Sequence, residues 1–152
     1  MKDQFAVTDS KVADSDIPEM MTTVADDSQY QRRFQGTQKL YGADAFASFA
    51  AAHVYVIGVG GVGSWVAEAL ARTAVGCVTL VDLDVLVASN VNRQLPALDS
   101  SFGQSKITTM GARMREINPN IELHLVDDFL TPDNVAQLLP ERAAAKQAMA
   151  QN

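Results

Sequence analysis

An α/β fold built on a doubly wound parallel sheet is predicted by three observations. Two continuous apolar runs, HVYVIG at 53–58 and CVTLVDLD at 77–84, have the length of buried strands. Each is followed by a segment of helical period, the second after a loop, and repeated strand-then-helix order implies right-handed parallel crossovers. Between the first strand and its helix stands a GxGxxG turn made by Gly58, Gly60 and Gly63, the junction at which a Rossmann-like sheet turns tightly into a helix.

Residues 1–28 hold two lysines against seven acids, and the remaining 124 residues hold ten lysines and arginines against eleven acids. The formal charge of -6 is thus nearly all in the first segment, which carries -5. Its apolar residues are scattered without period, so it cannot bury enough surface to offset its ordering entropy, and a disordered acidic head is expected over 1–28. YQRRFQGTQKLYG at 30–42 reads as a polar, turn-rich approach. ADAFASFAAA follows as a short helix, with Phe46, Phe49 and Ala50 at helical spacing.

The first strand, 53–58, leads into VGGVGSWVAEALARTAV, whose Val62, Trp65, Val66, Ala69, Leu70 and Thr73 recur at three and four and predict an apolar stripe against the sheet. Gly76 is expected to end this helix. After the second strand a loop runs to a helix over 106–117, with Ile107, Met110, Met114 and Ile117 on one face and Asn118–Pro119 as its stop. NIELHLVDD predicts a third strand, and TPDNVAQLL a last helix capped by Thr131 with Pro132 in its first turn. No fourth strand is visible, so the sheet is expected to be truncated after about three strands, with 29–140 forming half of a nucleotide-binding domain and 141–152 a divergent tail.

No apolar run approaches the roughly 18 residues that cross a bilayer, and MKDQFAVTDSKVADSD lacks the pattern of a secretory signal. The cytoplasm is the expected location. One cysteine, Cys77, excludes a disulfide framework and any zinc site needing several thiolates. With the body near neutral, the acidic total does not argue against a nucleic-acid partner.

The glycine turn gives close backbone approach to phosphate and free amides at a positive helix end. Asp82 lies 19 residues past Gly63 at the end of the second strand, where a carboxylate can accept from ribose hydroxyls. Arg93 in NRQ and Lys106 in FGQSK add two cations at the rim of the same crevice, which suits a triphosphate attacked at its α-phosphorus. An NAD-dependent oxidoreductase is the alternative on the same turn, and it lacks any evident hydride-transfer acid or base. A third alternative is an inactive binding fragment. Cys77, His53, His124 and Trp65 read as core or surface residues, Asp127 and Asp128 as structural, and no metal ligand set is assigned.

GVGGVGSWVAEALARTAVGCVTLVDLDVLVASNVNRQ with FGQSK resembles the adenylating domain of the ubiquitin-activating-enzyme-like superfamily, which includes the bacterial ThiF and MoeB proteins. RRFQGTQKLYG, NRQLPAL, REINPN and VDDFLTPDNVAQ are similar to the bacterial tRNA threonylcarbamoyladenosine dehydratases, over about residues 30–139. The resemblance implies that Gly58, Gly60, Gly61 and Gly63 hold phosphates and Asp82 the ribose. It implies that Asp84 and Asn90 order the loop and nucleotide, and that Arg93 and Lys106 contact the triphosphate. Arg33 falls where relatives use an arginine that reaches the partner subunit's ATP, which implies a homodimer.

The implied activity is ATP-dependent adenylation of the threonylcarbamoyladenosine carboxylate in tRNA, then cyclisation with loss of water. The runner-up within the superfamily is a sulfur-carrier-protein adenylyltransferase. The implied partners are tRNA and, more remotely, sulfur-relay proteins, but no DNA; full-length relatives suggest membrane association. Mg2+ is the implied companion of ATP, its main ligand expected beyond the chain end, because ERAAAKQAMAQN at 141–152 does not resemble the family's route into a fourth strand. The sequence is therefore expected to be a truncated or frameshifted product. In the strand order 3-2-1-4 the first strand is central, so without the fourth it would present an apolar edge and leave the chain marginal or aggregation-prone.

Overall fold

The computed structural model describes residues 27–139; the tail at 141–152 and the head up to residue 26 lie outside the described residues. Three strands, β1 (His53–Ile57), β2 (Cys77–Val81) and β3 (Glu122–Val126), form one parallel sheet in the order β1-β2-β3. Helices α3 (Gly63–Arg72) and α4 (Lys106–Ile117) make the two crossovers, as the sequence predicts. They cover the sheet face that carries Val56, Val78 and Leu80, and with Ala67, Ala71, Ile107, Met110 and Met114 they form the core. Among the described residues β1 is an edge strand.

The polar approach is not a turn-rich segment. It forms α1 (Asp27–Tyr41), and Asp27 and Ser28, assigned to the acidic head, open that helix. Its anchor is aromatic: Phe34 is buried, and Tyr30 meets Phe34 at 4.8 Å and Phe46 at 6.5 Å between ring centroids. One buried side chain in an otherwise polar helix gives too weak a period to read from sequence. Gly42, at φ 87, breaks α1 from α2 (Ala43–Ala51), the short helix expected from ADAFASFAAA.

Helix α3 buries a different face from the one predicted. Ser64, Ala67, Glu68 and Ala71 point inward, whereas Val62, Trp65 and Val66 are exposed, Trp65 by 57%. Small side chains let the helix lie close to the sheet, so the larger apolar residues are displaced outward. Leu70 alone of the larger predicted set packs against the core. The helix also ends before Gly76. Ala74 takes the left-handed conformation at φ 66, and Val75 N–H bonds Leu70 O at 3.2 Å while Ala74 N–H bonds Ala71 O at 3.3 Å, a Schellman closure. Gly76 answers a different need: a Cβ there would collide with the Ala50 carbonyl at the end of α2.

Glu68 ties the two covering helices together. Its carboxylate accepts Arg113 Nε at 2.7 Å and Nη2 at 3.0 Å from α4, and Arg72 Nε at 2.8 Å from its own helix. The Arg113 hydrogen bonds hold its carboxyl below the usual carboxylate range against the opposing effect of burial, with Arg72 adding to them. At the far end of α4, buried Asn118 accepts Asn120 N–H through its side chain at 3.3 Å and turns the chain into β3. The final helix is shorter than predicted: α5 spans only Val135–Leu138. Thr131 caps the turn before it, its Oγ1 accepting Asn134 N–H at 3.3 Å.

Candidate functional site

The site lies at the C-terminal ends of β1 and β2, where the chain must leave the sheet. Gly58 continues the ladder by donating to Val81 O at 2.8 Å and then turns at φ 85, a conformation open to glycine at little cost. Val59 is fully buried beneath the turn. Its N–H donates to Asp82 Oδ2 at 2.6 Å, so the carboxylate at the end of β2 grips the glycine loop from below. Gly63 opens α3 hard against the Gly58 carbonyl, leaving no room for a Cβ. Among the described residues the N–H groups of Gly60, Gly61 and Val62 have no acceptor. They stand at the positive end of α3, where an anion is favoured.

Below this loop a cleft of about 350 Å³ is lined by Gly58, Gly60, Asp82, Asp84, Lys106 and Phe129 among others. Lys106 is almost wholly buried there, its Nζ 2.8 Å from Asp84 Oδ2 and 3.9 Å from Asp82 Oδ1. The Asp84 carbonyl also accepts Lys106 N–H at 3.1 Å, which joins the end of β2 to the start of α4. Asp82 Oδ1 accepts Asp84 N–H at 2.9 Å. A buried cation is thus held beside two carboxylates, with lone pairs of Asp82 left over for a hydroxyl. A second hollow of about 470 Å³ lies across the loop, lined by Tyr55, Ile57, Gly58, Gly60, Val62 and Val66.

Arg93 sits over the other half of the loop. Its aliphatic stem covers Gly61, where an added Cβ would meet Arg93 Cγ at 3.2 Å. Its guanidinium, exposed, donates to Ser89 O at 3.0 Å and Asn92 Oδ1 at 2.9 Å. Asn90 shapes this segment from within: buried, it accepts Val87 N–H on its side chain at 3.1 Å and Arg93 N–H on its carbonyl at 3.1 Å.

Two residues here escape the sequence reading. Trp65, expected in the core, instead donates its indole N–H to Arg93 O at 3.0 Å and braces the Arg93 segment against α3. Gln94, the last residue of NRQ, is buried beside Gly60 with its Oε1 unpartnered among the described residues. The NRQ triplet marks the place, but only the fold shows that Gln94 turns inward.

Arg33 is not part of this assembly. Its guanidinium donates to the carbonyls of Glu116 and Ile117 at 3.0 and 3.2 Å, at the C-terminal end of α4. Lys106 begins that helix, and twelve residues of α-helix separate the two by roughly 16 Å along the axis. The fold therefore joins Gly58, Gly60, Asp82, Asp84 and Lys106 at one cleft, sets Gly61, Asn90 and Arg93 beside it, and leaves Arg33 at the opposite end.

A profile of the ThiF family matches residues 30–149. The chain belongs to the ThiF family. Within it, the chain is 50% identical over 119 residues to the tRNA threonylcarbamoyladenosine dehydratase of Escherichia coli K12, covering 78% of this chain and 44% of that protein. The Haemophilus influenzae protein of the same name is 44% identical, over 78% of this chain and 46% of its own length. The solved E. coli enzyme in complex with ATP superimposes with a TM-score of 0.72 at 52% identity, covering 72% of this chain and 45% of that one. A complex of the same enzyme with AMP matches equally, at a TM-score of 0.72. This ThiF-family chain thus spans less than half the length of the relatives it matches. Its parallel three-stranded sheet agrees with the Rossmann-like fold expected from the sequence.

Proposed function

We propose that this chain binds ATP in the Asp82–Lys106 cleft and takes part in ATP-dependent adenylation of the threonylcarbamoyladenosine carboxylate in tRNA. The observation that carries the proposal is the convergence of the glycine loop, Asp82, Asp84 and Lys106 on one cleft, in a chain half identical to an enzyme solved with ATP and with AMP. A carboxylate oxygen attacks the α-phosphorus of ATP, and the bond to the bridging oxygen breaks to release pyrophosphate. Ring closure at the activated carbonyl then expels AMP, so the oxygen lost as water in the net cyclisation leaves on phosphate. Hydroxide is a poor leaving group and AMP a good one, which is why two steps replace one.

The residues divide this work by position. The free amides of Gly60 and Gly61 suit the phosphates, and Asp82 the ribose. Lys106, held ready by Asp84, and Arg93, braced by Asn90 and Trp65, suit the negative charge that grows on the transferring phosphorus. Arg33 can meet an ATP only if a second copy brings it there, which supports a homodimer. A cytoplasmic location, where tRNA is modified, belongs to the same proposal. The residues present do not by themselves fit Mg2+: both Asp82 oxygens accept backbone N–H groups and Asp84 is paired to Lys106. Among the described residues that leaves spare lone pairs on Asp82 and one oxygen of Asp84, too few for a six-coordinate Mg2+ site built by the protein.

Thermal shift of the purified chain tests the ligand. ATP and AMP are expected to raise the midpoint, through a stabilisation of about 2.7 kcal/mol at one hundred times Kd. Stabilisation by NAD alone would overturn the reading. Supplying tRNA that carries threonylcarbamoyladenosine and following the nucleoside by mass spectrometry for loss of one water tests the chemistry.

A further inference from the structure

The parallel register assembles a second cluster at the opposite ends of the strands. His53 pairs with Cys77, Cys77 with Glu122, and Tyr55 with Thr79, itself paired with His124. Side chains alternate along a strand, so His53, Cys77, Thr79, Glu122 and His124 share the face away from α3 and α4. The ligand atoms of His53, Cys77 and His124 lie within 4.8 Å of one another. No spacing in the sequence reveals this, because the three residues come from three strands.

We propose that His53, Cys77 and His124 bind a zinc-class divalent metal ion on this face of the sheet, beside a hollow that Gln137 and Leu138 of α5 also line. Two imidazoles and a thiolate are the donors that zinc and its soft neighbours prefer over Mg2+. Tetrahedral zinc, with bonds of about 2.0–2.3 Å, requires its ligand atoms roughly 3.3–3.8 Å apart. The cluster must close by about 1 Å, a change within reach of side-chain rotation at His53 and His124, both exposed to solvent and to an entering ion.

Each imidazole is already oriented by a neighbour. His53 Nε2 lies 2.8 Å from Thr79 Oγ1, and His124 Nε2 lies 3.0 Å from Glu122 Oε1. Oxygen partners of this kind fix a metal-binding imidazole and leave its other nitrogen for the ion. Water supplies the fourth position. Ligation by sulfur exchanges the Cys77 S–H for a sulfur–metal bond and releases one proton to solvent. The site joins all three strands at their N-terminal ends. Its His53 is about 16 Å down β1 from Gly58 of the glycine loop, so the ion does not touch the nucleotide.

The test is titration of the purified, metal-free chain with Zn2+ and with Co2+ as a spectroscopic stand-in. One equivalent of Co2+ is expected to bind with a thiolate-to-metal charge-transfer band, while Mg2+ gives none. Cys77→Ser is expected to abolish the band, and His53→Ala and His124→Ala to weaken binding by about 100-fold or more, beyond the 10- to 100-fold that loss of an orienting partner costs. Glu122→Gln is expected to fall within that smaller range. Cys77 is the sole cysteine, so alkylation of the unaltered chain gives a readout that needs no variant: Zn2+ is expected to slow it at least tenfold. Unchanged alkylation with Zn2+ present, or Co2+ binding without the thiolate band, would overturn the proposal. Either outcome leaves the ATP reading untouched, since that is scored by nucleotide alone.

Discussion

The Asp82 carboxylate accepts the backbone N–H of Val59 at 2.6 Å through Oδ2 and that of Asp84 at 2.9 Å through Oδ1. One side chain thus holds both the glycine loop and the first turn of the chain after β2. Asp82→Asn keeps the shape but presents an N–H2 group to one of these donors. Loss of the bond and an unsatisfied pair should cost about 1–3 kcal/mol. The expected result is a lower calorimetric midpoint together with weaker ATP binding, because the loop loses its hold from below. An unchanged midpoint would show that the grip contributes nothing.

Lys106 differs from Arg93 in being buried and already paired. Its Nζ reaches Asp84 at 2.8 Å from the first residue of α4. Lys106→Met should keep the helix and remove a charge-assisted contact worth about 1.5–3 kcal/mol, which corresponds to roughly 10- to 100-fold in ATP affinity. Isothermal titration of ATP into the variant checks this, and affinity within twofold of the parent chain would exclude Lys106 from the phosphate site.

The Glu68–Arg113 contact predicts an acid limb of stability. Hydrogen bonds from Arg113 depress the folded-state carboxyl relative to the unfolded chain. The contribution is therefore present above the unfolded value and is lost as pH falls through the folded one. At neutral pH, Glu68→Gln should destabilise by about 1–3 kcal/mol. The two melting curves should converge in acid, where both side chains are uncharged. A gap that stays constant from neutral pH to acid would assign the effect to shape.

Elements whose cause is local were legible in the sequence. Strands 53–57 and 77–81 announce themselves by continuous apolar runs, and α4 by Ile107, Met110 and Met114. Elements decided by tertiary contact were not. Helix α1 depends on Tyr30, Phe34 and Phe46 meeting across two helices. The buried face of α3 is selected by close approach to the sheet, which favours Ala67 and Ala71 over Trp65. The same division runs through the site. The glycine turn, Asp82 and Lys106 could be placed by order along the chain, whereas the bracing of Arg93 by Trp65, the inward turn of Gln94 and the displacement of Arg33 follow from packing.

Three glycines of one loop should respond differently to the same added methyl group, because each faces a different neighbour. At Gly63 the methyl would meet the carbonyl of Gly58, backbone against backbone, and neither side can move without opening the β1–α3 turn. Gly63→Ala should cost about 3 kcal/mol or more. At Gly61 it would meet the Arg93 stem at 3.2 Å, a flexible side chain that can yield. Gly61→Ala should leave stability within about 0.5 kcal/mol while weakening ATP binding through the shifted guanidinium. At Gly60 the nearest atom is Gln94 Nε2 at 4.0 Å, ordinary contact, so Gly60→Ala should preserve the fold. Calorimetry and ATP titration on the three variants separate stability from binding. A Gly61→Ala chain that melts as early as Gly63→Ala would show that the Arg93 stem is a fixed wall of the loop and does not yield to the added methyl.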